Sequence, residues 1–217
     1  MNQPPAGITK ARVLAELREG GSRRHDADEE LCTSASWPTA ALSRVTAMRN
    51  ISIALVLFLT GCVGIPKDVT PVDNFEPARY LGKWYEIARL DHPFERGLTR
   101  VTANYSLRND GGVKVLNRGY SEKKGEWQQA EGKAYFVQDS SLGYLKVSFF
   151  GPFYGSYIVF ELDHDDYQYS LVCGPDKSYL WLLARTPVIN QDLQDRLIAE
   201  AARLGFDTSK LIFVDHH

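Results

Sequence analysis

From Gly82 onward, short runs of β-branched and aromatic residues alternate with turn signals along the chain. This pattern is typical of β-strands separated by tight turns. The sequence predicts eight strands, at 83–90, 101–107, 113–120, 127–137, 144–150, 156–162, 168–173 and 179–185. The turn at 109–112 contains Asp-Gly and Gly-Gly, which is the strongest hairpin signal in the chain. Because no segment of helical period interrupts the strands, we expect an antiparallel meander.

After the eighth predicted strand the hydrophobic period changes to that of an amphipathic helix. Asn190 can cap the start of this helix, and Gly205 is placed to end it. A short final strand is predicted at 211–214. The apolar stripe of the helix consists of Leu193, Leu197, Ala201 and Leu204.

Eight meandering strands can form either an open sheet or a closed barrel. An open sheet would expose two long edges, which invite aggregation. Closure removes both edges, and a barrel of eight strands can hold one small ligand. The predicted fold is therefore all-β: an eight-stranded antiparallel up-and-down barrel, with one C-terminal α-helix packed outside and a short final strand.

The amino end differs from the rest of the chain. Residues 1–47 show no sustained apolar period and are interpreted as a non-native or disordered leader. Residues 48–61 begin with Met48 and the basic Arg49 and continue with an apolar run, as in a secretory signal peptide, and the run is too short to span a membrane. Residues 62–73, with two prolines and no periodicity, are predicted to be a tether, and 74–217 the folded domain.

The end of the apolar run, Leu59-Thr60-Gly61-Cys62, resembles the lipobox of bacterial lipoproteins. The resemblance implies that Cys62 is lipidated and becomes the first residue of the mature protein. Within that pattern an Asp after the Cys favours the inner membrane. Since Val63 stands there instead, the resemblance implies an anchor in the bacterial outer membrane, facing the periplasm.

Composition and chemistry narrow the function. The formal net charge of −2 gives no electrostatic reason to expect a nucleic-acid partner. Cys173 lies in a predicted strand, where a buried inert thiol is expected. The five histidines show no zinc-like spacing, and there is no phosphate-binding glycine loop and no triad. We therefore predict no cofactor, no metal and no enzymatic activity.

Closure of the barrel brings together residues that are far apart in sequence. The first and eighth strands become antiparallel neighbours, so the start of one lies beside the end of the other. Trp84, preceded by Gly82, begins the first strand, and Arg185 ends the eighth. A guanidinium stacked on this indole is a favourable cation–π contact. These three residues are predicted to close one end of the barrel.

The Gly-x-Trp motif and the Arg at the end of the eighth strand resemble the lipocalin family. The segments 80–89, 149–155, 171–175 and 183–187 resemble more narrowly the bacterial outer-membrane lipocalins, which are relatives of apolipoprotein D. The family motif between the seventh and eighth strands is matched only loosely, from Gly174 to Tyr179. The resemblance implies binding of fatty acids, such as palmitate, or of lysophospholipids, with transport and envelope maintenance as roles. It also makes a homodimer plausible.

Alternation along the strands predicts which side chains meet a ligand. Phe153 and Tyr154 are expected at the rim of the open end, whereas His92 is expected to be a solvated loop residue. Glu86 inside the barrel would repel an anionic lipid unless it is protonated or paired. Two alternatives stay open: a lipid-modifying enzyme and a structural envelope protein with a filled barrel. The predicted ligand-binding residues are Glu86, Ala88, Tyr105, Val147, Phe149, Phe153, Tyr154, Tyr179 and Trp181.

Overall fold

The structure is a computed structural model that describes residues 63–217. The predictions for the leader 1–47, for the signal peptide 48–61 and for lipidation of Cys62 lie outside the described residues. Between residues 63 and 217, no helix is both long enough and apolar enough to cross a membrane.

Nine strands form one sheet that closes on itself. The first eight pair antiparallel in sequence order, and β1 pairs with both β2 and β8. This confirms the predicted eight-stranded antiparallel barrel, with strand ends that differ from the predictions by up to three residues. The strands are β1 Gly82–Arg89, β2 Leu98–Leu107, β3 Val113–Ser121, β4 Glu126–Phe136, β5 Tyr144–Phe150, β6 Phe153–Leu162, β7 Tyr169–Cys173, β8 Leu180–Ala184 and β9 Ile212–Phe213.

The strand pairing defines two ends of the barrel. Tyr85 pairs with Ala184, and at the other end of the same ladder Arg89 pairs with Trp181. We call the end that contains the start of β1 the floor, and the opposite end the mouth. The turns after β1, β3, β5 and β7 therefore lie at the mouth, because successive antiparallel strands reverse direction.

Within residues 63–217, two α-helices and a short 3-10 helix, Thr208–Lys210, flank the strands. The short helix α1, Pro77–Tyr80, precedes β1 and was not predicted, because four residues show no helical period. The predicted helix is present as α2, Gln191–Arg203, and the Asn190 side chain caps it by accepting a hydrogen bond from the Asp192 amide at 2.8 Å. Its buried residues, Leu197 and Ala201, pack against the outside of the barrel.

The final strand fills a gap in the barrel wall. β2 pairs with β1 only as far as Tyr85, whereas β9 pairs with Ala88 and Arg89. The residue after β9 adds one more backbone hydrogen bond to β1, because the Val214 amide donates to the Ile87 carbonyl at 3.0 Å. The predicted final strand therefore exists, and it closes the mouth half of β1.

Candidate functional site

The floor is closed by one stacked pair. The Arg185 guanidinium carbon lies 3.9 Å from the centroid of the Trp84 ring, and Trp84 is fully buried. The Trp84 indole N–H donates to the Tyr80 carbonyl at 2.8 Å. Arg185 also donates to the carbonyls of Lys83, Arg79 and Tyr167, at 2.9, 2.6 and 3.2 Å. The predicted contact is confirmed, and Arg185 in addition ties three backbone segments together through carbonyls that no sequence pattern identifies.

Gly82 permits this arrangement. Its φ of +91° lies in the region that favours glycine, and a Cβ there would lie 3.5 Å from the Arg185 Nη1 atom. The backbone can therefore turn into β1 directly beside the guanidinium. Gly82, Trp84 and Arg185 form the closed end, as predicted.

Above the floor, three tyrosines form a hydrogen-bonded chain inside the barrel. The Tyr157 hydroxyl lies 2.8 Å from that of Tyr80 and 2.9 Å from that of Tyr105, and Tyr80 also reaches the Ser170 hydroxyl at 3.1 Å. Burial raises the pKa of Tyr80 to about 12. These hydroxyls are therefore neutral, and they satisfy one another in an otherwise apolar interior. Tyr105 was predicted to line the site, whereas Tyr80 and Tyr157 were not.

A cavity of about 30 Å³ lies beside this chain in the floor half. Side chains of β2 to β6 and of the segment 75–81 line it, including the predicted residues Tyr105 and Val147. A volume of about 30 Å³ is roughly one water molecule's share of the liquid, far below the several hundred Å³ of a drug-sized pocket. An acyl chain can therefore enter this barrel only if interior side chains move.

A bulge in β1 changes which residues face the interior. Glu86 pairs with Leu183 and Ala88 pairs with Leu182, so one extra residue, Ile87, lies between consecutive positions of β1. Ala88 consequently packs outside, in the cluster that contains Leu182 and the helix α2. The prediction that Ala88 lines the interior was wrong, because strict alternation does not hold across a bulge.

The same bulge brings Arg89 inside, where it forms a buried ion pair. Its Nη1 atom lies 2.6 Å from Glu86 Oε1, and both side chains are almost fully buried. The Arg89 Nη2 atom also donates to the Glu95 carbonyl at 2.9 Å. Glu86 therefore faces the interior as predicted, and its charge has a partner that alternation had placed outside.

Glu95 adds a second buried carboxyl to this group. It comes from the loop between β1 and β2, and its Oε2 accepts a hydrogen bond from the Trp181 indole N–H at 3.0 Å. Burial raises the pKa of both Glu86 and Glu95, and their mutual repulsion raises that of Glu86 further, against the opposing effect of Arg89. One guanidinium thus faces two carboxyls, and protonation of one carboxyl makes the group neutral.

His92, in the same loop, is buried rather than solvated. Its ring stacks between Phe94 and Tyr179, at centroid distances of 5.4 and 4.9 Å, and Trp181 lies 4.7 Å away. Burial and the nearby Arg89 charge lower the pKa of His92 to about 4. The prediction of a solvated histidine was wrong, because the loop folds over the mouth instead of projecting from it. Tyr179 and Trp181, both predicted site residues, hold the loop there.

The other predicted residues divide between the interior and the surface. Phe149 packs with the interior cluster against Gly132, where a Cβ would lie 2.9 Å from its ring. Phe153 is 46% exposed at the β5–β6 turn, as expected for a rim residue. The Tyr154 ring instead contacts Tyr135 and the Lys146 ammonium group, on the outer face of the barrel. Tyr154 therefore does not reach the interior.

The remaining candidates for reactive chemistry are the Cys173 thiol and clusters of metal-binding side chains. Cys173 is fully buried, and burial raises its pKa to about 12, as expected for an inert thiol. Among residues 63–217, no group of three or more His, Cys, Asp or Glu side chains is placed to hold a metal ion.

Comparison with known proteins identifies the family. The model of the lipocalin-like domain matches residues 75–216. The chain belongs to the lipocalin family. It is 61% identical over 168 residues to the outer membrane lipoprotein Blc of Vibrio cholerae, covering 77% of this chain and 98% of that protein. It is also 32% identical over 149 residues to apolipoprotein D of Macaca fascicularis, covering 66% of this chain and 78% of that protein.

A solved structure supports the same fold. Insecticyanin from the tobacco hornworm Manduca sexta matches with a TM-score of 0.56 at 25% identity, covering 70% of this chain and 86% of that one. The family match and this structure confirm the predicted family and barrel, and the identity to an outer membrane lipoprotein confirms the predicted outer-membrane location. This chain is a lipocalin that binds lipids or other small hydrophobic molecules.

Proposed function

We propose that this lipocalin holds one single-chain lipid, a fatty acid or a lysophospholipid, and carries it in maintenance of the outer membrane. The lipid anchor on Cys62 keeps it at that membrane, facing the periplasm. The observation that carries the proposal is an apolar interior closed at the floor by Trp84 and Arg185, and covered at the mouth only by a loop.

Acyl-chain burial is a sufficient driving force. About 15 methylenes at ~0.8 kcal/mol each give roughly 12 kcal/mol of gross transfer free energy. Association costs of ~4–15 kcal/mol then leave an affinity between weak and nanomolar. Part of the gain is spent on rearranging the interior, because the cavity of about 30 Å³ does not hold such a chain as it stands.

The side chains that we expect to move are those that are only partly buried at the edge of the interior cluster. Phe149, Val147 and Trp181 are only partly buried there, whereas Trp84 and Val159 are fully buried. We place the acyl tail along these three residues, with its end in the floor-half cavity beside Tyr105. The loop carrying His92 and Glu95 must swing away for the tail to enter.

The lipid headgroup belongs at the mouth, because burying an unpaired charge is expensive. With both Glu86 and Glu95 ionised, the buried group carries an excess negative charge that repels a carboxylate or phosphate. Arg89 alone is not a free counter-ion, since Glu86 already occupies it at 2.6 Å.

Native mass spectrometry of delipidated protein titrated with a lysophospholipid tests this function. We expect a one-to-one adduct of unchanged ligand at micromolar concentration. A filled structural barrel would give no adduct, and a lipid-modifying enzyme would give product masses; either result would contradict the proposal.

A further inference from the structure

The segment before the barrel is fixed along the barrel wall rather than hanging from it. The Ser156 hydroxyl accepts a hydrogen bond from the Gly64 amide at 2.9 Å and donates one to the Gly64 carbonyl at 2.7 Å. Farther along, the Val72 amide donates to the Val159 carbonyl at 2.9 Å, and the Gly143 amide donates to the Val72 carbonyl at 2.8 Å. Val69, between these points, is buried. The segment therefore has one defined path.

This path runs from the mouth half towards the floor. β6 starts at the mouth with Phe153, so Ser156 is three residues from that end and Val159 is six. Gly143 precedes β5 in a turn at the floor. The chain thus enters beside the mouth half of β6 and leaves beside the floor.

The lipid anchor shares the end at which the chain enters. Val63, next to the fixed residue Gly64, is the first described residue, and consecutive Cα atoms lie about 3.8 Å apart. An anchor on the residue before Val63 therefore starts within two residues of the hydrogen bonds between Gly64 and Ser156, on the mouth half of β6. This step rests on the proposed lipidation of Cys62.

Exposed apolar side chains collect at the same end. Of the eight large hydrophobic residues exposed between residues 63 and 217, Leu107 and Val188 belong to the floor. The other six belong to the mouth half: Val63, Ile65, Trp127, Phe153, Ile212 and Phe213. Aromatic side chains such as Trp127 and Phe153 are favoured where apolar lipid meets water. The turn beside Trp127 also exposes Lys123, which can meet a lipid phosphate, whereas Lys124 lies 3.8 Å from the Glu126 carboxylate.

We propose that the mouth of the barrel faces the phospholipid bilayer in which the protein is anchored, with Phe153 and Trp127 in contact with its interface. A lipid then passes between bilayer and barrel without crossing water. The hydrogen bonds between Gly64 and Ser156 set this orientation, because they keep the anchor from swinging towards the floor.

Site-specific quenching in vesicles tests the orientation. Phe153→Cys at the mouth and Leu107→Cys at the floor each offer an exposed thiol for a fluorescent label, while Cys173 is fully buried. The lipidated protein is placed in phosphatidylcholine–phosphatidylglycerol vesicles that contain a nitroxide-labelled phospholipid. We expect quenching at position 153 to exceed that at 107 several-fold. Equal quenching, or stronger quenching at 107, would overturn the proposal.

Two controls separate the effect of the hydrogen bonds between Gly64 and Ser156 from the effect of self-association on the quenching. Ser156→Ala removes both bonds to Gly64 and should reduce the difference between the two positions, whereas Ser106→Ala, an exposed serine on β2, should not. If the mouth is instead an interface between two copies of this chain, the label at 153 is shielded from the nitroxide, and shielding increases with protein density. That outcome contradicts the proposal.

The orientation and the proposed function can fail separately. Intact mass of the vesicle-bound protein reports the lipid on Cys62, and lysophospholipid binding by the protein labelled at position 107, away from the mouth, reports the ligand site. Strong quenching at 153 without ligand binding would reject the ligand proposal and keep the orientation.

Discussion

The Arg89 guanidinium lies 2.6 Å from the Glu86 carboxylate, inside a barrel whose strand alternation would place Arg89 outside. The extra residue in the β1 bulge brings both side chains to the same face. Because the Glu95 carboxyl is buried in the same group, loss of Arg89 would leave two carboxyls without a cation.

We therefore predict that Arg89→Met strongly lowers the free energy of unfolding, by about 3–5 kcal/mol in urea at neutral pH. The double variant Glu86→Gln with Arg89→Met should recover part of this loss, since one unpaired charge is gone. Arg96→Met is the matched control, because its ion pair with Asp91 is exposed and should be worth less than about 1 kcal/mol. Equal losses for Arg89→Met and Arg96→Met would contradict the buried pair.

His92 should make the protein less stable in acid. Its pKa is about 4 in the folded protein and 6.5 in the unfolded chain, so the unfolded state binds the proton first. Stability from the neutral ring is present above pH 6.5 and is lost as pH falls to about 4, by roughly 3 kcal/mol. His92→Phe keeps the ring stacking and should remove this contribution.

The measurement is chemical denaturation at pH 7 and pH 4 for the wild type and His92→Phe. The raised pKa values of Glu86 and Glu95 act in the opposite direction, but they remain in both proteins and largely cancel in the comparison. His164→Phe, at an exposed position in the β6–β7 turn, should behave as the wild type. A wild type and a His92→Phe variant with the same pH dependence would rule out the buried histidine.

Gly132 should be sensitive to a single added methyl group. A Cβ there would lie 2.9 Å from the Phe149 ring and 3.0 Å from the Ser148 carbonyl oxygen. Gly132→Ala is expected to displace Phe149 and to cost about 1–3 kcal/mol of stability, seen as a lower melting temperature. Gly155→Ala, on strand β6 with nothing within 4 Å of the added Cβ, should be neutral or slightly stabilising. If both changes are neutral, Phe149 does not pack as described.

The floor and the ligand path should respond differently to truncation. Trp181→Ala and Phe149→Ala are expected to weaken lysophospholipid binding more than Trp84→Ala does, because the tail lies along the first two. Trp84→Ala removes the cation–π contact with Arg185 and should mainly lower the melting temperature. Titration calorimetry and thermal denaturation of the three variants separate the two effects. Equal binding loss with unchanged stability in all three would contradict this layout.

The barrel could be predicted because its signals are local. Alternating strands, glycine-containing turns and the 3.6-residue stripe that buries Leu197 and Ala201 each appear within a few residues. The contact between Trp84 and Arg185 followed once closure made β1 and β8 neighbours.

The mouth could not be predicted, because its features depend on tertiary contacts. A bulge at Ile87 leaves no period of its own, so Ala88 was assigned to the wrong face. His92 is buried only because its loop packs against Tyr179 and Trp181, which are remote in sequence. The docked path of the segment from Gly64 likewise depends on hydrogen bonds to Ser156, a partner 92 positions away.

The central claim is that the barrel takes up one intact single-chain lipid, although its cavity has a volume of only about 30 Å³. The most direct measurement is native mass spectrometry of the delipidated protein with increasing lysophospholipid. The account predicts a saturable one-to-one complex at micromolar ligand, weakened by Trp181→Ala. Absence of any complex, or conversion of the ligand, would contradict it.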